Sequence, residues 1–364
     1  MTNLLENIGL KLLWFDSLGA KSASIYIEAK ENSIIIDPGA AAMQPSYPLP
    51  SEKKRELRRR ALKTIEEYCW KAKVIIITHY HYDHHVRLND PDIIDPRKMF
   101  LERKTLILKN PNKYINESQW HRAREFITGL LRLSGADIKE YLVEPEEEYF
   151  QDPVEEFIHA FSKDYGSYSN RRKELLNKGR KWFNKLAREI WSKEPWIKDG
   201  IVLDNNTRIT WGDGKEFEVG GIIIKIFDPW FHGIEYDRTG WVIPVLIVKN
   251  NYRILYTSDI MGPQIEDYAY KIIDLRPDIL IADGPPTYLY PYMLNKINLN
   301  RAIENMIRII EEGNIKLIIY DHHLLREKRW RERIQKVLKT ARDKGVPLLT
   351  AAEYMGLKPL IDTL

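Results

Sequence analysis

One segment limits the folds open to this chain of 364 residues more than any other: an apolar run that ends abruptly in a cluster of histidines. Residues 74–77 read Val-Ile-Ile-Ile, and β-branched side chains of this kind favour a buried strand. After Thr78, residues 79–85 read His-Tyr-His-Tyr-Asp-His-His, so imidazoles and a carboxylate crowd the loop that follows the strand. Neutral imidazole binds borderline cations such as zinc, and a carboxylate adds negative charge. The pattern predicts a metal site; the competing interpretation is an exposed histidine-rich loop that binds metal fortuitously.

The spacing His-x-His-x-Asp-His resembles the signature motif of the metallo-β-lactamase superfamily. Four further segments follow the order of that family's other motifs, and each brings an aspartate or a histidine after an apolar run. Alone, each is more typical of a capping or satisfied polar residue than of a ligand, but beside the histidine-rich loop each becomes a candidate. The segments are 33–39 (Ser-Ile-Ile-Ile-Asp-Pro-Gly), 227–233 (Phe-Asp-Pro-Trp-Phe-His-Gly), 253–259 (Arg-Ile-Leu-Tyr-Thr-Ser-Asp) and 316–323 (Lys-Leu-Ile-Ile-Tyr-Asp-His-His).

The resemblance implies two divalent metal ions as cofactors, with zinc expected and manganese or iron(II) as alternatives. Asp37 is expected to support the site by hydrogen bonds to a ligand. His323 remains open as the alternative to its neighbour His322. The implied ligands are His79, His81 and His232 for one ion, Asp83, His84 and His322 for the other, and Asp259 between the two.

The chemistry that this resemblance implies is hydrolysis. Two cations lower the pKa of a shared water and supply a hydroxide nucleophile without a serine or a cysteine. Asp83 is expected to orient that nucleophile or shuttle its proton, and His323 is a candidate acid for the leaving group. Histidine rather than glutamate at position 81 argues against the flavodiiron branch, which performs redox chemistry.

The expected substrate is a small molecule or a nucleotide-type compound, and a phosphodiester or cyclic phosphate is narrowly preferred to a lactone, thioester or β-lactam. A competing class is a metal-stabilised nucleic-acid-binding or scaffold protein without turnover. A purely structural zinc needs only four closed donors, so seven candidate ligands favour the enzyme. A mononuclear iron oxygenase on the same scaffold would need only half of the ligands.

Three more residues are candidates for contact with the substrate. His85 extends the histidine run, Asp283 ends an apolar strand before Gly-Pro-Pro and several tyrosines, and Arg326 offers a guanidinium to a phosphate or carboxylate. Each has a simpler interpretation. His85 could be a hydrogen-bond donor that supports a ligand, and Asp283 could belong to a stiff turn with aromatic packing. Arg326 could form a solvated ion pair with Glu327.

Composition fits a cytoplasmic enzyme without a membrane span. The chain has 56 basic and 52 acidic side chains, and Cys69 is its one cysteine, which excludes an intramolecular disulfide and fits a reducing compartment. Residues 1–7 lack the cationic start and long apolar run of a secretory signal. Basic runs at 53–60 and 171–181 are interpreted as solvated helix faces, typical of thermophile proteins, more than as a nucleic-acid surface.

Strands alternate with helices along most of the chain, which predicts an α/β protein. The metallo-β-lactamase resemblance, closest to an archaeal branch of predicted hydrolases, implies a four-layer αβ/βα sandwich formed by one domain over residues 1–364. Residues 110–200 are expected to be a mainly helical insertion that acts as a lid or substrate wall. Individual predictions include a hairpin of strands 24–28 and 33–36 and helices at 117–133 and 301–312.

Overall fold

The structure, a computed structural model, describes residues 4–364. Residues 1–3, on which part of the prediction about the amino terminus rests, lie outside the described residues. Helices alternate with strands through most of the chain. The helices are α1 (Leu4–Ile8), α2 (Ser51–Lys71), α3 (Pro96–Phe100), α4 (Glu117–Ser134), α5 (His159–Ser162), α6 (Ser169–Leu186), α7 (Glu266–Asp274), α8 (Lys296–Glu312), α9 (Trp330–Arg333), α10 (Gln335–Lys344) and α11 (Ala351–Tyr354).

Strands of two to six residues make up the sheets. Those before residue 215 are β1 (Leu10–Phe15), β2 (Ala23–Ile27), β3 (Ile34–Ile36), β4 (Val74–Ile77), β5 (Thr105–Leu108), β6 (Leu142–Val143), β7 (Trp196–Ile197), β8 (Ile201–Val202) and β9 (Arg208–Trp211). Those after it are β10 (Glu216–Val219), β11 (Ile222–Ile226), β12 (Trp230–Phe231), β13 (Trp241–Val242), β14 (Val245–Lys249), β15 (Tyr252–Tyr256), β16 (Ile279–Asp283), β17 (Leu317–Asp321) and β18 (Leu348–Leu349).

Two seven-stranded sheets organise the molecule. The first has the order β1-β2-β3-β4-β5-β9-β8, and the second has the order β10-β11-β14-β15-β16-β17-β18. Each sheet contains a parallel half: β3, β4, β5 and β9 in the first, and β15, β16, β17 and β18 in the second. The mixed α/β class predicted from the sequence is therefore confirmed.

The two sheets pack against each other, because alternate residues of their strands share one apolar core. Ile34 and Ile36 of β3 lie in the same buried cluster as Ile279 and Ile281 of β16. Residues between them, such as Ile35, point to the opposite faces, where the long helices α2, α4, α8 and α10 cover the sheets. This period of two is what a strand buried on both faces requires.

The segment 110–200 is mainly helical and contains α4, α5 and α6. A π-helical turn, Ala187–Trp191, ends α6, and Trp191 is buried with its indole N–H donating to the carbonyl of Ile115 at 3.0 Å. Trp182 stacks on Trp241 with ring centroids 5.4 Å apart. These contacts attach the segment to the body, and its role as a lid or substrate wall stays a prediction.

Local predictions agree with the structure except at one helix start. The predicted hairpin is present as β2 and β3, paired antiparallel with Ile25 opposite Ile36. The helix predicted over 301–312 begins earlier, at Lys296, because the Asn295 side chain accepts a hydrogen bond from the backbone N–H of Asn298 and caps it. No helix within residues 4–364 combines the length and apolar composition that crossing a membrane requires.

Candidate metal centre

The candidate ligands lie where strands of both sheets end. The loop after β4 carries the histidine-rich motif 79–85, and the segments after β15 and β17 carry Asp259 and the pair His322–His323. His232 directly follows the short strand β12. Because the carboxyl ends of neighbouring parallel strands meet at one edge of a sheet, these side chains converge although they are up to about 240 residues apart.

The Asp259 carboxylate lies at the centre of this convergence. Its side chain is 1% exposed, and its Oδ2 atom lies 3.0–3.7 Å from the Nε2 atoms of five histidines. The separations are 3.0 Å to His84, 3.3 Å to His232, 3.3 Å to His322, 3.6 Å to His79 and 3.7 Å to His323.

The other two candidate ligands complete the groups on either side of Asp259. His81 Nδ1 lies 3.1 Å from His79 Nε2, and Asp83 Oδ2 lies 3.7 Å from His322 Nε2. Among the described residues, the possible ligand atoms form four groups in which all members lie within 4.8 Å of one another. Two of these groups, which share no residue, together contain all seven candidates: His79, His81, His232 and Asp259, and Asp83, His84 and His322. The structure thus brings all seven candidates together.

Two buried carboxylates fix the orientation of the imidazoles in the second group. Asp37 Oδ2 lies 2.8 Å from His84 Nδ1, and Asp16 Oδ1 lies 2.9 Å from His322 Nδ1. An ionised carboxylate only accepts hydrogen bonds, so we assign the imidazole hydrogen to Nδ1 in both histidines. Their Nε2 lone pairs then face each other at 3.4 Å and face Asp259.

Such an arrangement fits a cation. Among residues 4–364, both carboxylate oxygens of Asp259 and both ring nitrogens of His232 are buried without a hydrogen-bond partner. Buried polar atoms left in this state are costly, and converging lone pairs repel one another unless a positive charge lies between them. The donor set of imidazoles and carboxylates is the one that zinc and similar ions take.

The proton affinities of His84 and His322 point the same way, whereas burial keeps the pKa values of His79 and His81 well below their usual range. Burial acts to lower the pKa of His84, but the carboxylates of Asp259 and Asp37 outweigh it and raise the pKa to about 10. Burial also acts to lower the pKa of His322, but the carboxylates of Asp16 and Asp259 outweigh it, so that this pKa lies well above its ordinary value. The surrounding carboxylates thus attract positive charge to the position where the imidazoles meet.

The backbone around the centre is strained in places. Asp37, Ser258 and His322 have φ values of 50°, 55° and 51°, in the left-handed region that residues other than glycine rarely occupy. Gly39 is required for a different reason: a Cβ there would lie 2.3 Å from the backbone nitrogen of His85. The turn after β3 and the histidine-rich loop therefore touch through their main chains.

Asp37 has the supporting position that the sequence predicted, and Asp16 is a second supporting residue that the sequence analysis missed. Asp16 is fully buried and holds both His322 and the Arg326 guanidinium, whose Nε lies 2.6 Å from Asp16 Oδ2. A signal was present, since Asp16 directly follows β1 as Asp37 follows β3. Asp16 does not belong to any of the segments that contain candidate ligands, and it is distant from all of those segments in sequence.

The predicted contacts with the substrate lie at or near the centre, all of them buried. His85 is 1% exposed and pairs through Nδ1 with the carbonyl of His81 at 2.9 Å. Asp283 accepts from the backbone N–H groups of residues 260 and 261 and lies 3.0 Å from Nδ1 of His323. The catalytic and substrate roles of these residues stay predictions.

The simpler interpretation of Arg326 is wrong. Instead of forming a solvated pair with Glu327, Arg326 is 5% exposed and lies between Asp16 and Asp83, with Nη2 3.4 Å from Asp83 Oδ2. Glu327 lies 3.5 Å from Arg333 instead. The charged residues around Arg326 gave no indication of the 3-10 turn, His322–Arg326, that directs the guanidinium inwards.

Comparisons with known proteins find relatives along nearly the whole chain. A UPF0282 protein of Pyrococcus abyssi is 31% identical over 349 residues, which cover 94% of this chain and 86% of that protein. UPF0282 proteins of Korarchaeum cryptofilum and Methanocaldococcus jannaschii are each 28% identical, over 346 and 354 residues, covering 95% of this chain and 88% and 91% of theirs. No protein-family model matches the chain.

One solved structure, that of a protein of unknown function from Enterococcus faecalis, is similar with a TM-score of 0.35 and 14% identity over 91% of this chain and 67% of the other.

Proposed function

This chain belongs to the UPF0282 family, and on that premise we propose that it is a dinuclear metal-dependent hydrolase with the four-layer architecture of the metallo-β-lactamase superfamily. The observation that carries the proposal is the single oxygen of Asp259 surrounded by five imidazole nitrogens at 3.0–3.7 Å. Two face-to-face sheets with helices on their outer faces support the proposed architecture.

Two divalent cations, when bound, would polarise the substrate and lower the pKa of a coordinated water, which supplies the nucleophile. His79, His81 and His232 would hold one ion, Asp83, His84 and His322 the other, and Asp259 would touch both. This assignment follows the two groups of ligand atoms that together contain the seven candidates.

The remaining steps belong to side chains of the chain itself. The Asp83 side chain is 13% exposed, against 0–1% for His84, His322 and Asp259, so among these four it faces the solvent side of the centre most openly. Burial would raise the pKa of Asp83, but His84, His322 and Arg326 lower it, so that Asp83 stays ionised and, as a weak base, accepts a hydrogen bond from the nucleophile without taking its proton. Asp83 therefore orients the nucleophile.

His323 is placed to exchange a proton with the leaving group. Its Nδ1 is held by Asp283 at 3.0 Å, and its Nε2 lies 3.7 Å from Asp259 Oδ2, on the inner side of the cluster. Burial, Arg326 and His322 hold the pKa of His323 well below its usual range, so the ring does not store a proton and would instead pass the proton released by the nucleophilic water to the leaving group. A phosphodiester or cyclic phosphate is the preferred substrate, because a two-metal site stabilises both oxygens of an in-line displacement.

The test combines metal content with turnover. Protein purified without affinity resin or chelator is analysed for metals and assayed with bis(p-nitrophenyl) phosphate, a lactone and a thioester, in the native form, as Asp259→Ala and as Asp204→Ala. Asp204 is exposed and lies beside Glu102 and Arg103, before the start of β5 and away from the carboxyl ends of the parallel strands, so its variant controls for loss of a carboxylate. We expect about two ions per chain and hydrolysis of the phosphodiester, both lost in Asp259→Ala and kept in Asp204→Ala.

Several results would contradict the proposal. A single iron per chain would favour an oxygenase, and two tightly bound ions without turnover of any ester would favour a metal-stabilised scaffold. Turnover of the lactone or thioester alone would keep the dinuclear hydrolase and replace its substrate class.

A further inference from the structure

A second feature adjoins the metal centre: a cavity of about 370 Å³ between the histidine-rich loop and helix α4. Its walls include Tyr82 and His85 from the loop and Arg87, Arg122 and Arg132 from the segments beside it; we call it the basic pocket. A cavity of this size lies at the small end of the range for ligand sites, about 300–1,000 Å³.

The basic pocket and the metal centre share one piece of chain. Tyr82 stands between the candidate ligands His81 and Asp83, and His85 follows the candidate ligand His84. The His85 ring also pairs with the carbonyl of His81 at 2.9 Å. A molecule bound in the pocket would therefore contact side chains of the metal loop that are adjacent in sequence to candidate ligands.

The charge of the pocket is unbalanced. Four arginines line it, the three named above and Arg124, against one carboxylate, Glu125. Arg124 is occupied, since it donates to the carbonyls of residues 111 and 195. In the described part of the chain, no salt bridge to an acidic side chain involves Arg87, Arg122 or Arg132, which leaves three guanidinium groups without an anionic partner.

Aromatic contacts hold two of these arginines in place. The guanidinium carbon of Arg87 lies 4.2 Å from the ring centroid of Tyr82, and that of Arg122 lies 4.8 Å from it. A guanidinium that stacks on an aromatic ring keeps its in-plane N–H donors free and loses less entropy when it binds an anion. Tyr82 thus arranges two cationic groups around one cavity.

We propose that the basic pocket binds a phosphate group of the substrate, next to the ester that is hydrolysed at the metal centre. Arginine is the side chain suited to phosphate because its planar donors pair with two oxygens at once, and several arginines match a group with three oxygens. This inference rests on the proposed function and narrows its substrate to phosphodiesters that carry a further phosphate, such as short 5′-phosphorylated nucleotides.

The experiment compares two dinucleotides that differ by one phosphate: thymidylyl-thymidine with and without a 5′-phosphate. The ratio of the two kcat/KM values is measured for the native protein, Arg122→Gln, Arg132→Gln and Arg55→Gln. Arg55 is an exposed arginine on α2, outside the pocket, so its variant makes the same change of charge elsewhere.

We expect the native protein and Arg55→Gln to favour the 5′-phosphorylated dinucleotide equally. Arg122→Gln and Arg132→Gln should each lower the ratio by about 10-fold, as expected for loss of one charge-assisted hydrogen bond. Arg132 is exposed, so its variant retains the test if Arg122→Gln does not fold. Isothermal titration with thymidine 5′-monophosphate should show the same weakening without any turnover.

The outcomes separate this inference from the proposed function. If both dinucleotides were hydrolysed and the ratio of their kcat/KM values were the same in all four proteins, the proposed phosphate site would be wrong and the hydrolase would stand. No hydrolysis by any of them, with weaker binding of thymidine 5′-monophosphate only in the two pocket variants, would support phosphate binding in the pocket and overturn the phosphodiester as the substrate of the proposed hydrolase. Weaker binding of the nucleotide with an unchanged kcat/KM ratio would overturn the substrate subsite, because the anion would then be an effector.

Discussion

At the scale of single residues, the centre depends on carboxylates that would not touch a metal. Asp37 holds Nδ1 of His84 and also accepts from the backbone N–H of Thr78 at 2.7 Å and from the Tyr256 hydroxyl at 2.7 Å. Asp16 has the corresponding place at His322. Carboxylates in this position fix the imidazole tautomer and raise the basicity of the coordinating nitrogen.

Asp16→Asn tests this role. Asparagine keeps the size of the side chain but removes the charge that attracts Arg326 and His322, so we expect the affinity of the ion near His322 to fall about 10–100-fold. The measurement is metal content after dialysis against graded concentrations of a chelator, with circular dichroism to verify folding. Retention of two ions at the same chelator concentration as the native protein and an Asp204→Asn control would contradict the role.

The sequence identified the candidate ligands but not all of their supports. Histidines and aspartates after β-branched runs stand out in the chain, and their spacing drew attention to each one. Asp16 carries a weaker signal, because it follows the apolar strand β1 but belongs to no histidine-rich motif, and its importance arises only when β1 and β17 are brought together. Arg326 illustrates the reverse error: beside Glu327 it reads as a surface residue, and only the 3-10 turn after β17 buries it.

At the scale of elements, a buried ion cluster joins helix α6 of the 110–200 segment to the body. Arg172 of α6 and Arg301 of α8 lie 2.6 Å and 2.8 Å from Glu235, in the loop that follows His232. Arg301 also lies 2.6 Å from Glu266 of α7. All four side chains are at most 11% exposed, so the contacts are shielded from water and salt.

The cluster predicts a specific acid sensitivity. Burial would raise the pKa of Glu235, but Arg301 and Arg172 lower it to about 2. A lowered pKa contributes stability that is present above the ordinary value near 4.5 and is lost as the pH falls towards 2, and the shift corresponds to roughly 3 kcal/mol. Urea unfolding at pH 6 and at pH 2.5 should therefore show a smaller pH-dependent loss of stability in Glu235→Gln than in the native protein.

Glu174→Gln, an exposed residue of the same segment, is the control and should follow the native pH dependence. We also expect Glu235→Gln to be destabilised by about 3 kcal/mol at pH 6, because Arg301 and Arg172 lose a buried partner. An equal loss of unfolding free energy between pH 6 and pH 2.5 in Glu235→Gln and in the native protein would show that the cluster does not control the acid transition.

Element boundaries and the pairing of strands adjacent in sequence were predictable from local signals, whereas the pairing of strands distant in sequence was not. The hairpin of β2 and β3 and the strand β5 are local patterns of β-branched residues. On the side away from β4, however, β5 pairs with β9, about 100 residues further along the chain, with Thr105 opposite Arg208. Packing of the sheet decides this pairing, and no local pattern indicates it because a helical segment separates the two strands in the sequence.

At the scale of the whole molecule, the candidate centre joins the two sheets. Asp37, His79, His81, Asp83 and His84 follow strands of the first sheet, while Asp259, His322 and His323 follow strands of the second. Asp16 lies after β1 of the first sheet, yet its carboxylate holds His322 of the second. Ions bound among these ligands would cross-link the sheets at the edge where their strands end.

The last prediction follows from this cross-link. Ions that bind only the folded chain stabilise it by about 4 kcal/mol each at a thousandfold excess over their Kd, and for a chain of this length two such ions correspond to roughly 10 °C in Tm. We therefore expect EDTA to lower the Tm of the native protein by that amount and added zinc to restore it. Asp259→Ala should have a low Tm that neither reagent changes, whereas Asp204→Ala should respond as the native protein does. The prediction would be wrong if EDTA left the Tm of the native protein unchanged, or if it lowered the Tm of Asp259→Ala by the same amount. Either result would mean that the two sheets are held together without ions at Asp259. The lone pairs around that carboxylate would then be neutralised by protons in place of metal.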